Sequence, residues 1–323
     1  MGVLKQSLKM TQNRYELFDS KELRTVAKVE ATLLRCARRW LDEHGFLEVV
    51  VPHIVNATGS CEVVSTLFKV PYFGRDAYLS QTGQLYLEAL VPFLGGKVWT
   101  FGSSFRAEGR ADDRHLTEFS LLELEFEGDF DRLLSTIEEL FTNMVYGVRE
   151  LPDVMNPLEL KLPFKRLRYE DAISELGLSW GMDTTSADEK RLLEMNDNQP
   201  MFITHFPKEL KYFNMRVNDD DSRVVNSADF LLPFGGESAG CAEREYNAIR
   251  LRKRLYESGM WTQFIAEGGD KQAFDWYLDA YHRYDYKLHS GFGMGLNRVT
   301  KYVLGLDDIR CSTVYPTNAE TIY

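Results

Sequence analysis

The sequence predicts an α/β domain built on a mainly antiparallel sheet of six or more strands flanked by helices. Three stretches lead to this reading. Residues 97–127 run as KVWTFGSSFRAE, a polar tip GRADD, and then EFSLLELEFE. Two β-compatible segments around a short polar loop make a hairpin, which is antiparallel by construction. Residues 22–44 place Val26, Val29, Leu33, Ala37, Trp40 and Leu41 at helical spacing, with Gly45 fitting the stop. Residues 290–304 pass from a Gly-rich strand end into a helix. The 323 residues are 44% hydrophobic and 13% aromatic, enough for one large domain or two small ones.

Bulk properties narrow the function. A net charge of −11 disfavours broad contact with a phosphate backbone, although a local basic patch can survive it. Cys36, Cys61, Cys241 and Cys311 show no metal-ligand spacing and read as reduced intracellular thiols. The N-terminal segment lacks an apolar targeting core, and no apolar run is long enough to span a membrane. The expectation is a soluble cytoplasmic protein with no membrane partner. Residues 1–21 read as a polar lead-in, and residues 22–323 as the folded domain.

In chain order, FLEVVVPHIV reads as a strand ending near Pro52. STLFKV and DAYLS read as strands joined by the turn YFGR, and QLYLEALVPFL starts a helix. After the 97–127 hairpin, DFDRLLSTIEELFTNMVYGVRE, residues 129–150, reads as a helix. Residues 157–169 suggest a strand pair, YEDAISELGL a short helix, and SADEKRLLEMN another with a Ser186–Glu189 capping box. MFITHF is a buried strand, and KELKYFNMRV is expected to continue the sheet. Two further amphipathic helices, NAIRLRKRLYESGM and KQAFDWYLDAYHRY, precede the Gly-rich segment.

Chemistry concentrates on the hairpin. Side chains alternate across a strand, so Arg106 and Glu108 are expected on one face of the first strand, and Phe119, Leu121 and Glu123 on one face of the second. Positions 119 to 123 span roughly 13 Å at about 3.3 Å per residue. The loop adds Arg110, Arg114 and His115. Cations, an aromatic plate and carboxylates on one hairpin suit a nucleotide with its phosphate chain. Composition alone equally describes a solvated surface hairpin. In SADFLLPFGGESAGCAERE, Asp229 and Glu237 flank a short strand and a Gly-Gly turn, and two carboxylates facing one cavity suit Mg²⁺.

The segments FRAE, RHLTEF and the following Glu123 resemble motif 2 of the class II aminoacyl-tRNA synthetases. The helix and strand of residues 22–56 resemble motif 1, and GFGMGLNR, ending at Arg298, resembles motif 3. The STLF, QLYLE and QPMFITHFPKEL segments are most similar to asparaginyl-tRNA synthetases and the archaeal asparagine synthetases related to them. The likeness covers roughly residues 22–316. It implies a class II synthetase core with an ATP site formed by Arg106, Glu108, Arg114, His115, Leu116, Phe119, Glu237 and Arg298. Arg106 and Arg298 are the implied catalytic pair, and Arg298 is expected over the adenine face opposite Phe119. Asp229 and Glu237 would hold Mg²⁺. Glu62, Gln84, Glu123 and Arg244 would hold the amino acid, with Arg244 as the side-chain clamp. The motif 1 likeness implies a homodimer through residues 22–56.

The synthetases also carry an anticodon-reading OB-fold of about 100 residues, and only about 21 residues precede the motif 1 helix here. tRNA is therefore not expected as a partner. The reading is an AMP-forming ligase that adenylates aspartate, at its β-carboxylate, and passes it to ammonia. The alternatives are transfer of an aspartyl or asparaginyl adenylate to another amine, or a truncated asparaginyl-tRNA synthetase paralogue, catalytic or regulatory. Five positions depart from the family pattern. Val63 and Val64 follow Glu62 where two glycines are usual. Gly240 stands where serine is common, Cys241 where a glycine or similarly small residue is usual, and Glu243 where glutamine is usual. All are expected at the amino-acid end of the pocket, with Cys241 a small lining hydrophobe and not a nucleophile.

Overall fold

The computed structural model describes residues 14–57, 64–149, 151, 154 and 159–322. Glu62, Val63 and Cys61 therefore lie outside the described residues. Helix α1 (Lys21–Glu43) is capped by Ser20, whose hydroxyl accepts the Leu23 N–H at 3.1 Å. It ends before Gly45, which takes a left-handed φ of 74° that a side chain would strain. The FLEVVVPHIV segment splits into β1 (Leu47–Glu48) and β2 (Ile54–Val55), which join different sheets. Strands β3 (Lys69–Tyr72) and β4 (Arg75–Leu79) form the expected hairpin, and β2 completes a small three-stranded sheet. Helix α2 (Gln84–Leu90) leads into β5 (Lys97–Phe105) and β6 (Glu118–Glu127).

Helix α3 (Phe130–Val148) follows, then β7 (Lys165–Arg168), α4 (Tyr169–Leu176), α5 (Ser186–Met195) and β8 (Met201–Thr204). Strand β7 runs parallel to β8, so the described part of residues 157–169 is one strand and not a pair. The chain then forms β9 (Ser227–Leu232), β10 (Gly236–Glu243), α6 (Ala248–Glu257), α7 (Gly259–Ala266), α8 (Asp275–Arg283), β11 (His289–Gly295) and α9 (Leu296–Leu304). KELKYFNMRV does not extend the sheet. It loops across with isolated bridges at Pro207–Val224, Met215–Arg244 and Val217–Val225.

Among the described residues the main sheet has eight strands in the order β1-β5-β6-β11-β10-β9-β8-β7. Every pairing from β5 to β8 is antiparallel, and the two edge pairs, β1–β5 and β7–β8, are parallel. One face is covered by α1, α3 and α9, whose apolar stripes meet Trp99, Leu122, Leu124, Phe126, Phe230, Cys241, Phe292 and Met294. With that face closed by the largest core cluster, the alternating partners of those residues point the other way. Among the described residues the second face carries α2 over β5 and β6, a cluster of α6, α7 and α8 at one side, and α4 with α5 at the other. Among the described residues no helix is long and apolar enough to cross a membrane.

Candidate active site

The open face of the sheet is floored by β6 and β11. On β6 the core-facing residues are Leu122, Leu124 and Phe126, which leaves Phe119, Leu121, Glu123 and Glu125 on the site side. Register places Gly291 opposite Glu125, Gly293 opposite Glu123 and Gly295 opposite Leu121. A Cβ on Gly291 would lie 2.0 Å from Glu125 Oε1, so glycine is needed there for Glu125 to occupy its place. The Gly-rich pattern of this segment thus has a steric purpose: it makes room for carboxylates and for a ligand above the strands.

At one end of this floor is a cationic cleft. Arg106, Glu108, Arg114, His115, Leu116, Phe119, Glu237 and Arg298 all line it, together with Gly240, Gly293 and Gly295. The Arg106 guanidinium lies over the Phe119 ring at 5.3 Å. Its Nε is buried and has no hydrogen-bond partner among the described residues. Strand β5 ends at Phe105, so Arg106 and Glu108 belong to the loop. The Arg106 N–H still donates to Thr117 O at 2.9 Å, and Glu108 turns back to donate to Arg106 O at 2.8 Å.

That loop is held from within by Asp112. Its Oδ1 accepts the N–H groups of Arg114 and His115 at 2.9 Å each, and its Oδ2 pairs with His115 Nδ1 at 2.8 Å. Burial works to raise the Asp112 pKa, but these bonds from Arg114 and His115 outweigh it and leave it lowered. The loop is also tied to the C-terminal part by Ile309 N–H to Asp113 O at 2.9 Å. Arg114 pairs with Glu189 at 3.1 Å. Helix α9 begins at the cleft, and Asn297 Oδ1 accepts the Ser120 N–H at 3.0 Å, which fixes the first turn and its Arg298 beside β6. Arg298 donates to the Glu237 backbone carbonyl. Burial lowers the Arg298 pKa. Glu237 and Glu189 oppose that, and the guanidinium groups of Arg114 and Arg106 add to it. Three mutually repelling arginines, one with an unfilled buried donor, are a seat for a polyanion.

The metal assignment is less uniform. Glu237 is exposed in the cleft. Asp229 is buried, and both its oxygens accept from Lys211 Nζ at 2.8 Å. It does not line the cleft. The carboxylate that approaches Glu237 is Glu189: burial and the Glu237 charge raise its pKa, and its Oε2 accepts the Glu237 N–H at 3.3 Å. Among the described residues no trio of His, Cys, Asp or Glu is placed to hold a metal unaided.

The other end of the floor is buried and acidic. Glu123 accepts the Gly83 N–H at 2.8 Å and the Thr82 hydroxyl. Burial raises its pKa, and both Arg244 and Arg106 act to lower it, so Glu123 stands between the two ends of the site. Arg244 is 3% exposed. Its Nε and Nη2 donate to Glu125 Oε1, each at 2.8 Å, and its Nε lies 3.7 Å from Glu88. Gln84 donates its amide to Glu125 Oε1 and, at 3.1 Å, to Leu124 O. Glu125 Oε2 is buried with no hydrogen-bond partner among the described residues. Burial pushes the Glu125 pKa up to about 8, with Arg244 opposing and Glu88 adding.

Two of the departures from the family pattern face away from this pocket. Cys241 lies in the core cluster on the opposite face, and its thiol donates to Ala228 O at 3.2 Å. Burial pushes its pKa far up, so it is neither pocket-lining nor nucleophilic. Glu243 accepts from Asn226 at 2.9 Å, from Arg216, and from the Phe130 N–H at 3.0 Å, which holds the start of α3. Gly240 does face the site, but at the cationic end.

Sequence reading missed Glu88, Glu125 and Glu189. Glu125 sits two residues beyond Glu123 on the same strand face, and Glu88 one helical turn beyond Gln84, so periodicity could have found both. Glu189 was assigned to a capping box. The box is instead Thr185 with Asp188, one residue earlier, and the shift frees Glu189 for the cleft.

The family described as tRNA synthetases class II (D, K and N) matches residues 5–319. The asparagine–tRNA ligase of Thermococcus gammatolerans is 39% identical over 320 residues, covering 94% of this chain and 71% of that protein. The asparaginyl-tRNA synthetase of Pyrococcus horikoshii complexed with asparaginyl-adenylate superposes with a TM-score of 0.87 at 35% identity, over 96% of this chain and 72% of that one. The Entamoeba histolytica asparaginyl-tRNA synthetase in complex with asparaginyl-adenylate gives 0.84 at 29% identity, over 96% and 71%.

Proposed function

The chain belongs to the class II tRNA synthetases of the D, K and N group, and on that footing we propose that it uses ATP to adenylate asparagine at its carboxylate and passes the activated acid to a nucleophilic acceptor. The observation behind this reading is the pairing of two unlike ends in one site. The cationic cleft around Arg106, Arg114 and Arg298 suits a triphosphate, and the buried end around Arg244 and Glu123 suits a small amino acid.

In the first step an oxygen of the amino-acid carboxylate attacks the α-phosphorus, and the bond to the leaving pyrophosphate breaks with its electron pair. Arg106 stabilises the charge on the α-phosphate, its Nε donor having no acceptor among the described residues. Arg114 and His115, preset by Asp112, hold the outer phosphates. Phe119 and Arg298 bracket the base. Mg²⁺ bound with ATP would offset phosphate charge; Glu237 fits it, with Glu189 near, whereas Asp229 is committed to Lys211. In the second step the acceptor attacks the acyl carbon, gives up a proton, and AMP leaves.

Charge favours asparagine over the aspartate first expected. Arg244 is already paired with Glu125 and backed by Glu88, so a substrate carboxylate there would find the guanidinium's charge already taken. Beside Arg244, the unfilled Glu125 Oε2 matches the NH₂ of a carboxamide. The relatives' names also point to asparagine. They point to tRNA as well, so the expectation that tRNA is not a partner gains nothing from them; acceptors include ammonia, other amines and a tRNA hydroxyl. The test is amino-acid-dependent ATP–pyrophosphate exchange, followed by transfer to a panel of these acceptors. Exchange with asparagine is expected. Exchange with aspartate alone overturns the substrate assignment, and exchange with neither overturns the activity.

A further inference from the structure

We propose that Lys301, which does not line the cleft, is a positioning residue for the nucleotide: buried behind the phosphate loop, its ammonium steadies Asp113, the residue before Arg114, and holds a positive charge whose counter-charge is the bound triphosphate. The proposal rests on the reading of the cleft as an ATP site.

Lys301 lies on α9 three residues after Arg298, so the two share a face of the helix about one turn apart. It is 5% exposed. Its Nζ lies 3.4 Å from Asp113 O, which also accepts the Ile309 N–H at 2.9 Å. Asp113 follows Asp112, whose carboxylate accepts the N–H groups of Arg114 and His115. The loop is thus fixed at two successive residues, from within at Asp112 and from outside at Asp113. One helix places Arg298 in the cleft and, a turn later, grips the loop that brings Arg114 and His115 there.

Among the described residues no carboxylate forms an ion pair with Lys301. Asp308, from the segment after α9, is taken by Arg310 at 2.7 Å. Burial lowers the Lys301 pKa; the Asp113 charge opposes this, Arg298 and Arg114 add to it, and Asp308 opposes it. A lysine is rarely buried without an ion partner, because a desolvated charge lacking its counter-ion is costly. This one stands beside a cleft that already gathers Arg106, Arg114 and Arg298. A triphosphate bound there supplies the missing negative charge. It favours the protonated amine, and by linkage the protonated amine favours the triphosphate to the same degree. The sign follows directly. In the free protein Lys301 gives up its proton below the ordinary lysine value of about 10.4, and the triphosphate raises that point again. Binding at alkaline pH therefore takes up protons.

The measurement is calorimetric binding of MgATP, without amino acid, to wild-type protein and to Lys301→Met across about pH 7.5–10, in buffers of different ionisation enthalpy. Over that range an ordinary histidine, with a pKa of about 6.5, is already neutral. Wild type is expected to take up a fraction of a proton on binding, and Lys301→Met to lose that uptake. The variant should also bind MgATP about tenfold more weakly at the neutral end, the scale of one nearby charge, while adenosine, which lacks the phosphates, binds both proteins equally. KM for the amino acid in pyrophosphate exchange should not move. Equal weakening for MgATP and adenosine, with the proton uptake intact, would show that Lys301 only packs α9 against the loop and would overturn the proposal. If Lys301→Met does not fold, the wild-type titration decides, and absence of proton uptake overturns the proposal. A wild-type protein that does not bind MgATP removes the underlying reading and this proposal with it, whereas a MgATP-binding wild type matched by its variant removes this proposal alone.

Discussion

Arg106 and Phe119 divide the work at the cationic end. Arg106 holds a buried donor with no acceptor among the described residues, a cost that a bound ligand would relieve. Arg106→Ala should therefore slow pyrophosphate exchange by about 10²–10³-fold, as loss of one oxyanion donor does elsewhere. Arg106→Lys should recover little of it, because a point charge lacks the planar fork. Phe119→Ala should act on KM for ATP by about two- to tenfold, the scale of one aromatic contact of about 0.5–1.5 kcal/mol, with kcat less affected. Near-normal exchange in Arg106→Ala would place the chemistry elsewhere. At the acidic end the same scale yields a pH dependence. Burial lifts the Glu125 pKa from 4.5 to about 8 in the folded chain. Between those values the native state binds more protons than the unfolded state, so stability falls as pH rises across the window. Urea midpoints taken at about pH 5 and about pH 8 should differ less for Glu125→Gln than for wild type; equal differences would assign the titrating proton to another group.

At the scale of the element, strand register decides what the site contains. The pairing of Gly291 with Glu125 leaves the space above β11 to a carboxylate, and the next alternate positions are again glycines. Gly291→Ala should push Glu125 out of its bond to Arg244 and cost about 1–3 kcal/mol by overpacking, read as a lower unfolding midpoint together with lost exchange activity. A stable, active Gly291→Ala protein would mean that the strands separate more easily than the register implies. Helix ends matter in the same way. The one-residue difference between a Ser186–Glu189 box and the Thr185–Asp188 box turns Glu189 from a capping residue into the partner of Arg114.

At the scale of the whole molecule, the edge of the main sheet beside α1 exposes apolar side chains. Val50 is 97% exposed, and Leu47 and Ile54 are each 49% exposed. Such a patch on the motif 1 segment suits a self-complementary contact. We expect a homodimer through residues 22–56, seen by light scattering as twice 37.3 kDa, about 75 kDa. Val50→Asp should shift it toward the monomer at micromolar concentration. A wild-type monomer under those conditions would remove the assembly expectation and leave the site intact.

What the sequence determined by itself was periodic or local. Alternation on β6 identified Phe119 and Glu123, helical spacing identified α1, and the motif residues from Arg106 to Arg298 meet in one cleft. These depend on side-chain direction, which follows from backbone period alone. Only the tertiary structure decided the partners. Asp229 carries both the acidity and the position of a metal ligand, yet Lys211, eighteen residues before it in the chain, takes both its oxygens. Arg244 looked like a cation awaiting a substrate carboxylate, but Glu125 and Glu88, at separations of 119 and 156 residues, had already neutralised it. A charge has no meaning for binding until its burial and its neighbours are known, because the same guanidinium attracts an anion when unpaired and an amide when compensated. Those neighbours are brought in by sheet register and helix packing, and no local pattern encodes them.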